Sequence, residues 1–468
     1  MPADNVAEIV ERVLTRIRDN DSRPARELPA NPHGVFATVD ECVAAARAGQ
    51  LTLVALPLEK RREIIANIRR RAAQDVENLS RMAVEETGLG RFEDKIKKNL
   101  LVIHRTPGCE ILEPTAYTGD GGLTLIERAA YGVIASITPC TNPSETIINN
   151  GIGMVAGGNA VVFNVHPAAK LTSAYTIDLI NRASIEVGGP DNIMTCVASP
   201  TIASANEVMT HPGVAMVVVT GGGAVVQAAM NSGKKCVAAG PGNPPVVVDE
   251  TADIEQAASG VTAGASLDNN IVCIDEKEVF VVEKVADKFV EAMTNRGNVL
   301  LRNHQITRLE KLILTPDRAH ANRKWVGKNA SEFLREIDVP FQGDPRLIIA
   351  EVPFDHPFVQ VELLMPVLPI TRVRDVHEGI DLAFEAEHGY RHTAGMYSKN
   401  LDALHRMACV MNCSIFVKNG SHFAGLGLTG EGYTSFTIAS PTGDGLTTAR
   451  TFTRERRCAL AGGYFRIV

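Results

Sequence analysis

The chain has 468 residues, 45% hydrophobic and 22% charged, with a formal net charge of −7. That length suits two or three domains with full cores, and the acidic balance leaves no basic surplus for nucleic acid or anionic lipid. Nine cysteines without a C-x-x-C pair argue against a structural zinc site or a disulfide framework and for reduced thiols in a cytoplasmic protein.

From the N-terminus, Val6, Ile9, Val10, Val13, Leu14 and Ile17 recur at helical spacing and predict an amphipathic helix. Glu8, Glu11, Arg12 and Arg16 interrupt any long apolar run, so no signal peptide is expected. Residues 20–33 hold three prolines and mixed charge and read as a linker. Two readings of the helix stand level: docked on its own domain, or presenting its apolar face to another protein. Helices are expected to dominate from Thr38 to about Val102.

Strands are expected at 123–126, 133–137 and 161–165, with a loop over 138–144. Helices are expected from that loop to Met154 and over 168–187. The apolar run 214–219 ends in Thr220, Gly221, Gly222 and Gly223, and a helix is expected over 224–231. Further strands are expected at 246–248, 279–282, 347–350 and 367–370, with a helix over 286–293. Strands alternating with helices predict an α/β fold with parallel, doubly wound sheets. The spacing of Cys409 and Cys413, four apart, is compatible with one helix face, and core packing is the reading preferred for them.

Three constellations carry chemistry. An apolar strand running into Thr220–Gly223 and a helix is the local form of a dinucleotide turn: glycines admit the pyrophosphate and the helix N-terminus favours its charge. The G-x-G-x-x-G fingerprint is absent. In the second, Asp268-Asn269-Asn270-Ile271-Val272-Cys273 places a thiol between a polar, exposed turn and an apolar strand, where partial exposure would let a thiolate attack a carbonyl; a buried packing cysteine is the other reading. In the third, Thr138-Pro139-Cys140-Thr141-Asn142-Pro143 braces an Asn amide, a good oxyanion donor, against the plain alternative of an ordinary turn. Cys140 in that loop is a rival nucleophile.

The stretches 132–150, 158–169, 217–225, 238–249, 264–277, 362–370, 391–396 and 415–432, in this order, resemble the aldehyde dehydrogenase superfamily. Within it they are most similar to the CoA-acylating acetaldehyde and propionaldehyde dehydrogenases of bacterial microcompartments. Ala-Ala-Gly-x-Gly-Asn-Pro-Pro-Val-Val-Val-Asp, from Ala238, and Asn-Asn-x-x-Cys, from Asn269, carry the resemblance. It implies Cys273 as nucleophile, Asn142 with the Cys273 backbone N–H as oxyanion donors, and Glu362 on the nicotinamide ribose. Thr138, Pro139, Thr220, Gly221, Gly222, Gly223, Ala238, Ala239 and Gly240 would line the NAD site. No metal is implied, and coenzyme A would be the second cosubstrate, held by local groups. A small aldehyde would be the substrate.

Departures from the hydrolytic members are informative. Their water-activating Glu falls on Ala238, so the acyl-enzyme lacks its general base and CoA thiol becomes the acceptor. Their adenosine-ribose Lys falls on Asn164. His392 is a candidate base for the CoA thiol. A hydrolytic enzyme and a non-catalytic scaffold remain the rival readings.

The resemblance implies a targeting helix over 1–20, a linker over 21–34 and a Rossmann-type nucleotide-binding domain over 35–235 with 425–440. It further implies an α/β catalytic domain over 236–424 and an oligomerisation β-hairpin from 115–130 with 442–468. A homo-oligomer, dimer or tetramer, inside a cytoplasmic microcompartment is expected, with the helix binding a shell or core protein.

Overall fold

The computed structural model describes residues 6–18, 27–463 and 467. Parts of the expected N-terminal segment and linker, and the last few residues of the C-terminal arm, lie outside the described residues. Two compact α/β units emerge. Of the described residues, one comprises 27–82, 98–239 and 433 onward; the other comprises the helix Val6–Arg18, 83–97 and 240–432. The stretch 83–97, expected within the run 35–235, thus belongs to the second unit.

The first unit is built on a six-stranded parallel sheet. Its spatial order is Val35–Phe36, Met194–Val197, Ala160–Asn164, Val133–Ile137, Met216–Thr220, Lys235–Ala239. The central strands are β-branched runs buried along their length, as two-sided parallel sheets require. From Val133–Ile137 the chain steps outward through Ala160–Asn164 to Met194–Val197. It then returns to the other side of Val133–Ile137 with Met216–Thr220, Ile137 pairing with Val219. The strand order therefore reverses between these two strands, and a crevice opens at their carboxyl ends. Helix Val39–Ala55 starts at a capping box between Thr38 and Glu41. Its Val39, Val43 and Ala46 pack on Ala135, Ile137 and Val162 of the sheet.

The same unit carries a three-stranded antiparallel sheet in place of the expected hairpin. Thr453–Ala461 pairs with Gly122–Ala130 over nine positions, and Thr115–Gly119 pairs with the latter's other side. All residues of Thr453–Ala461 but the first are exposed.

The second unit holds a seven-stranded parallel sheet. Its order is Val299–Leu300, Ile348–Glu351, Val367–Val373, Glu278–Val282, Pro245–Val248, Thr393–Tyr397, Ile415–Lys418. Val246–Val248, Phe280, Phe289 and Phe333 sit in one continuous core. Helix Val6–Arg18 has Val6, Val10 and Leu14 buried within the chain, while Ile9 and Val13 of the same stripe are half-buried. Cys409 and Cys413 do not share a helix face. Helix Leu401–Met411 stops at a left-handed Asn412, leaving Cys413 beyond it, and Cys409 is exposed with its sulfur beside His405.

Four neighbouring strands, Val367–Val373, Glu278–Val282, Pro245–Val248 and Thr393–Tyr397, enter the second sheet side by side. The segments leading into their amino ends carry Glu362, Lys277, Gly242 and His392 respectively. Parallel pairing places these residues along one edge.

Candidate active site

Cys273 follows a backbone of unusual shape. Asp268, Asn269 and Asn270 have φ of 46, 58 and 65°, three consecutive left-handed residues without a glycine. Each costs on the order of 1 kcal/mol or more, and Asn and Asp tolerate the region best. Side chains over-determine the turn. Asp268 pairs with Lys95 at 2.9 Å and accepts the Arg91 backbone N–H at 2.7 Å. The Asn269 amide donates to Gly327 O and Asn329 Oδ1, each at 2.9 Å, and Arg91 Nε donates to Asn269 Oδ1. The Asn270 amide donates to Ala265 O and Glu276 O. Against the expectation of a polar, accessible turn, all three residues are buried. Cys273 itself is half-buried.

Lys277 closes this loop. Its ammonium donates to Asn270 O at 2.9 Å, Asn270 Oδ1 at 2.7 Å and Val272 O at 3.2 Å, and its backbone N–H donates to Pro244 O. Burial pushes the Cys273 thiol up to about 12; Glu362 adds to the rise, and Lys277 opposes it.

The Ala-Gly-x-Gly-Asn segment runs between the thiol's backbone and His392. A Cβ on Gly242 would come within 2.8 Å of Cys273 O and 3.0 Å of His392 Cγ, so only glycine allows this approach. Glu362 accepts the Gly242 N–H at 3.4 Å, and burial raises its carboxyl. His392 is fully buried. Its backbone N–H donates to Glu387 Oε1, its ring Nδ1 lies 2.9 Å from Thr393 Oγ1, and its ring Nε2 has no hydrogen-bond partner among the described residues. Burial, with Lys277 and His422 adding, holds the imidazole down at about 3. A base near neutrality was expected here; the imidazole is instead neutral and only weakly basic, because burial and a nearby cation penalise the charged form.

Asn142 lies in the first unit, so it and Cys273 belong to different units. It is the N-cap of helix Pro143–Ala156, yet its side chain makes no capping bond. Lys98 instead donates to Asn142 Oδ1, while Glu145 pairs with the same ammonium at 3.3 Å. Fixing the carbonyl this way sets the amide's orientation and turns its N–H groups away from Lys98. Cys140 is half-buried in the same loop.

The remaining expected cofactor residues of the first unit gather at the carboxyl ends of its sheet. Thr138 follows Val133–Ile137 directly; its hydroxyl is buried and has no hydrogen-bond partner among the described residues. Pro139 is half-buried beside it. Thr220 ends the neighbouring strand and bonds Thr437 at 2.8 Å. Gly221 N–H donates to Ala239 O, and Gly222 and Gly223 face open space at the start of helix Gly223–Met230. Ala238 and Ala239 are buried at the end of the last strand, where Ala238 presents a methyl group and no proton acceptor. Gly240 opens the second unit. An orphaned hydroxyl and an open glycine turn at the topological switch point fit a dinucleotide.

Lys98, Lys277 and His422 were not singled out from the sequence. His422 is buried with Nδ1 2.8 Å from Ile274 O. A signal existed for Lys98: with Lys95, Asn99 and Val102 it shares one helix face at i, i+3, i+4 and i+7, and all four are buried. Lys277 sits between two glutamates, which in sequence reads as a solvated charge run.

The model of the aldehyde dehydrogenase family matches residues 26–435. An acetylating acetaldehyde dehydrogenase of Salmonella typhimurium is 46% identical over 473 aligned positions, covering all of both chains. A propionaldehyde dehydrogenase from the fucose utilisation microcompartment of Clostridium phytofermentans superposes with a TM-score of 0.91 at 44% identity, covering 93% of this chain and all of that one. A Rhodopseudomonas palustris propionaldehyde dehydrogenase, solved with bound CoA and an acylated cysteine, gives 0.89 at 45% identity over 92% and 99%. With a nucleotide crevice in one unit, a thiol on a locked turn in the other, and these relatives across its length, the chain belongs to the aldehyde dehydrogenase family.

Proposed function

We propose that this enzyme oxidises a short-chain aldehyde, acetaldehyde or propionaldehyde, to its acyl-CoA with NAD and CoA, using Cys273 as nucleophile. The observation that carries the acyl-CoA outcome is Ala238, a buried methyl where hydrolytic relatives carry a water-activating Glu. The Cys273 sulfur adds to the aldehyde carbonyl to give a thiohemiacetal, whose oxygen is stabilised by the Asn142 amide and the Cys273 N–H. NAD would supply the hydride acceptor when bound; Glu362 would hold its nicotinamide ribose, and Thr138 with Thr220–Gly223 would hold the pyrophosphate side. Loss of the hydride leaves a thioester on Cys273. CoA thiol then attacks the thioester carbonyl, its S–H hydrogen-bonded to the neutral His392 Nε2; the bond from Cys273 sulfur to the acyl carbon breaks, acyl-CoA leaves, and the Cys273 sulfur takes up the thiol proton.

The test is a stopped-flow NADH trace. A missing general base is worth about 10²–10⁴-fold, so without CoA the enzyme should release about one equivalent of NADH per site and then nearly stall. Mass spectrometry should find the acyl group on the Cys273 peptide, and adding CoA should restore turnover. Sustained formation of free acid without CoA would favour the hydrolytic alternative.

Residence in a bacterial microcompartment, with helix Val6–Arg18 as the segment that engages a shell or core protein, is part of the same proposal. Its support is the relative from such a compartment and the apolar stripe itself. No helix among the described residues is long and apolar enough to cross a membrane.

A further inference from the structure

We propose that Lys277 is a positioning residue whose buried charge serves the sulfur of Cys273, as counter-ion to the negative charge that forms there. The proposal rests on Cys273 being the nucleophile.

Lys277 is 4% exposed, and its ammonium meets three oxygens of Asn270 and Val272, all neutral. Among the described residues no carboxylate oxygen lies within ion-pair distance of its Nζ. The contrast within the same unit is sharp: the other fully buried lysine there, Lys95, is paired with Asp268. Burying an unpaired cation is costly even after relaxation. The three oxygens take up the three N–H donors of the ammonium and so hold it in place, but being neutral they leave its charge uncompensated.

Burial pushes three neighbouring carboxyls toward their neutral forms. Both oxygens of Glu278 are buried without a hydrogen-bond partner, and burial holds its carboxyl well above the usual range. Glu276 accepts the His422 N–H and is pushed up to about 8 by burial. Glu362 is raised by burial as well. Glu276 is therefore protonated near pH 7. His392 and His422 are both held neutral by burial. The charged groups acting on the Cys273 sulfur are Glu362 and Asp275, which disfavour a thiolate, and Lys277, which favours it. Lys277 is the cation in this set, and it grips Asn270 and Val272, three residues and one residue before the thiol. Its charge and the position of Cys273 are therefore set by one side chain.

The test needs neither aldehyde nor CoA, so its failure is separable from failure of the nucleophile assignment, which Cys273→Ala decides. Full-length protein is treated with iodoacetamide at pH 8 and each cysteine peptide is followed by mass spectrometry. Lys277→Met should slow alkylation of Cys273 by about 10-fold or more, the equivalent of one pKa unit, and move its pH profile upward. Exposed Cys409 and Cys458 should react as before, and buried Cys42 and Cys196 should stay protected, reporting an intact fold. Lys277→Arg should recover part of the rate. An unchanged Cys273 rate with Cys42 and Cys196 protected overturns the proposal. Should Lys277→Met fail to fold, a fixed anion in place of the thiol reads the same charge: Cys273→Asp is expected to melt no lower than Cys273→Ala at pH 8. A much lower melting temperature for Cys273→Asp would overturn the proposal.

Discussion

Two cysteines compete for the same role in the sequence, and their surroundings separate them. Cys273 follows a turn whose three residues are each held by buried side chains, beside Gly242 and His392. Cys140 shares the loop that presents Asn142. Cys273→Ala should abolish NADH formation, whereas Cys140→Ala should keep most of it; strong activity in purified Cys273→Ala protein would sink the assignment. Glu276 yields a second prediction. Its folded carboxyl is pushed up to about 8 by burial, against an unfolded value near 4.5. A raised group contributes stability that is full below its unfolded pKa and is lost as pH rises through the folded one. Wild-type stability should therefore fall between about pH 4.5 and 8 for this reason. Glu276→Gln removes that loss, so its melting temperature should gain on wild type by a few degrees at pH 8.5 and by much less at pH 5. An equal difference at both pH values would rule out titration of Glu276 as the cause.

Elements with their own periodic signal were legible in the sequence, and those that depend on neighbours were not. The β-branched runs at 133–137, 246–248 and 279–282 and the stripe from Val6 all correspond to structure. Lys235–Ala239 was missed because it starts with Lys and ends in two alanines; pairing with Met216–Thr220 makes it a strand. Thr393–Tyr397 contains a glycine and was missed for the same kind of reason: it is buried between two partners. The turn at Asp268–Asn270 was read as polar and accessible because side-chain polarity does not report burial. Its stability comes from Arg91, Lys95 and Lys277, the first two nearly 180 residues upstream. Helix Val6–Arg18 is the element whose role stays open to a direct test. Val6, Val10 and Leu14 are already buried, so a shell or core protein would have to compete with the chain's own surface for that face. Residues 1–20 fused to a fluorescent protein are free of this competition and should enter the compartment. Their deletion from the enzyme should leave kcat nearly unchanged. A diffuse signal in cells with intact compartments would count against targeting.

At the scale of the whole molecule, each unit keeps its chemistry at one edge of its own parallel sheet. The nucleotide residues stand at carboxyl ends in the first unit, where strand order reverses. Cys273, Lys277, Glu362 and His392 stand on segments leading into amino ends in the second. The antiparallel sheet of the first unit is distinguished by its exposure. Thr453–Ala461 and Thr115–Gly119 are the outer strands, each with one side lacking a strand partner among the described residues. Tyr117 is 62% and Leu460 43% exposed. Open edges with apolar side chains are templates for another chain, and a second copy is the occupant expected from the family resemblance. Burying one large apolar side chain is worth about 1.5–3 kcal/mol, so Tyr117→Asp with Leu460→Asp should weaken self-association by about 100-fold or more. Neither residue is in the core, so secondary structure by circular dichroism should stay native. Light scattering during size exclusion should shift from a multiple of 50.3 kDa toward that mass. A wild-type protein already at 50.3 kDa, or a doubly substituted one with unchanged assembly, would remove the arm from the interface.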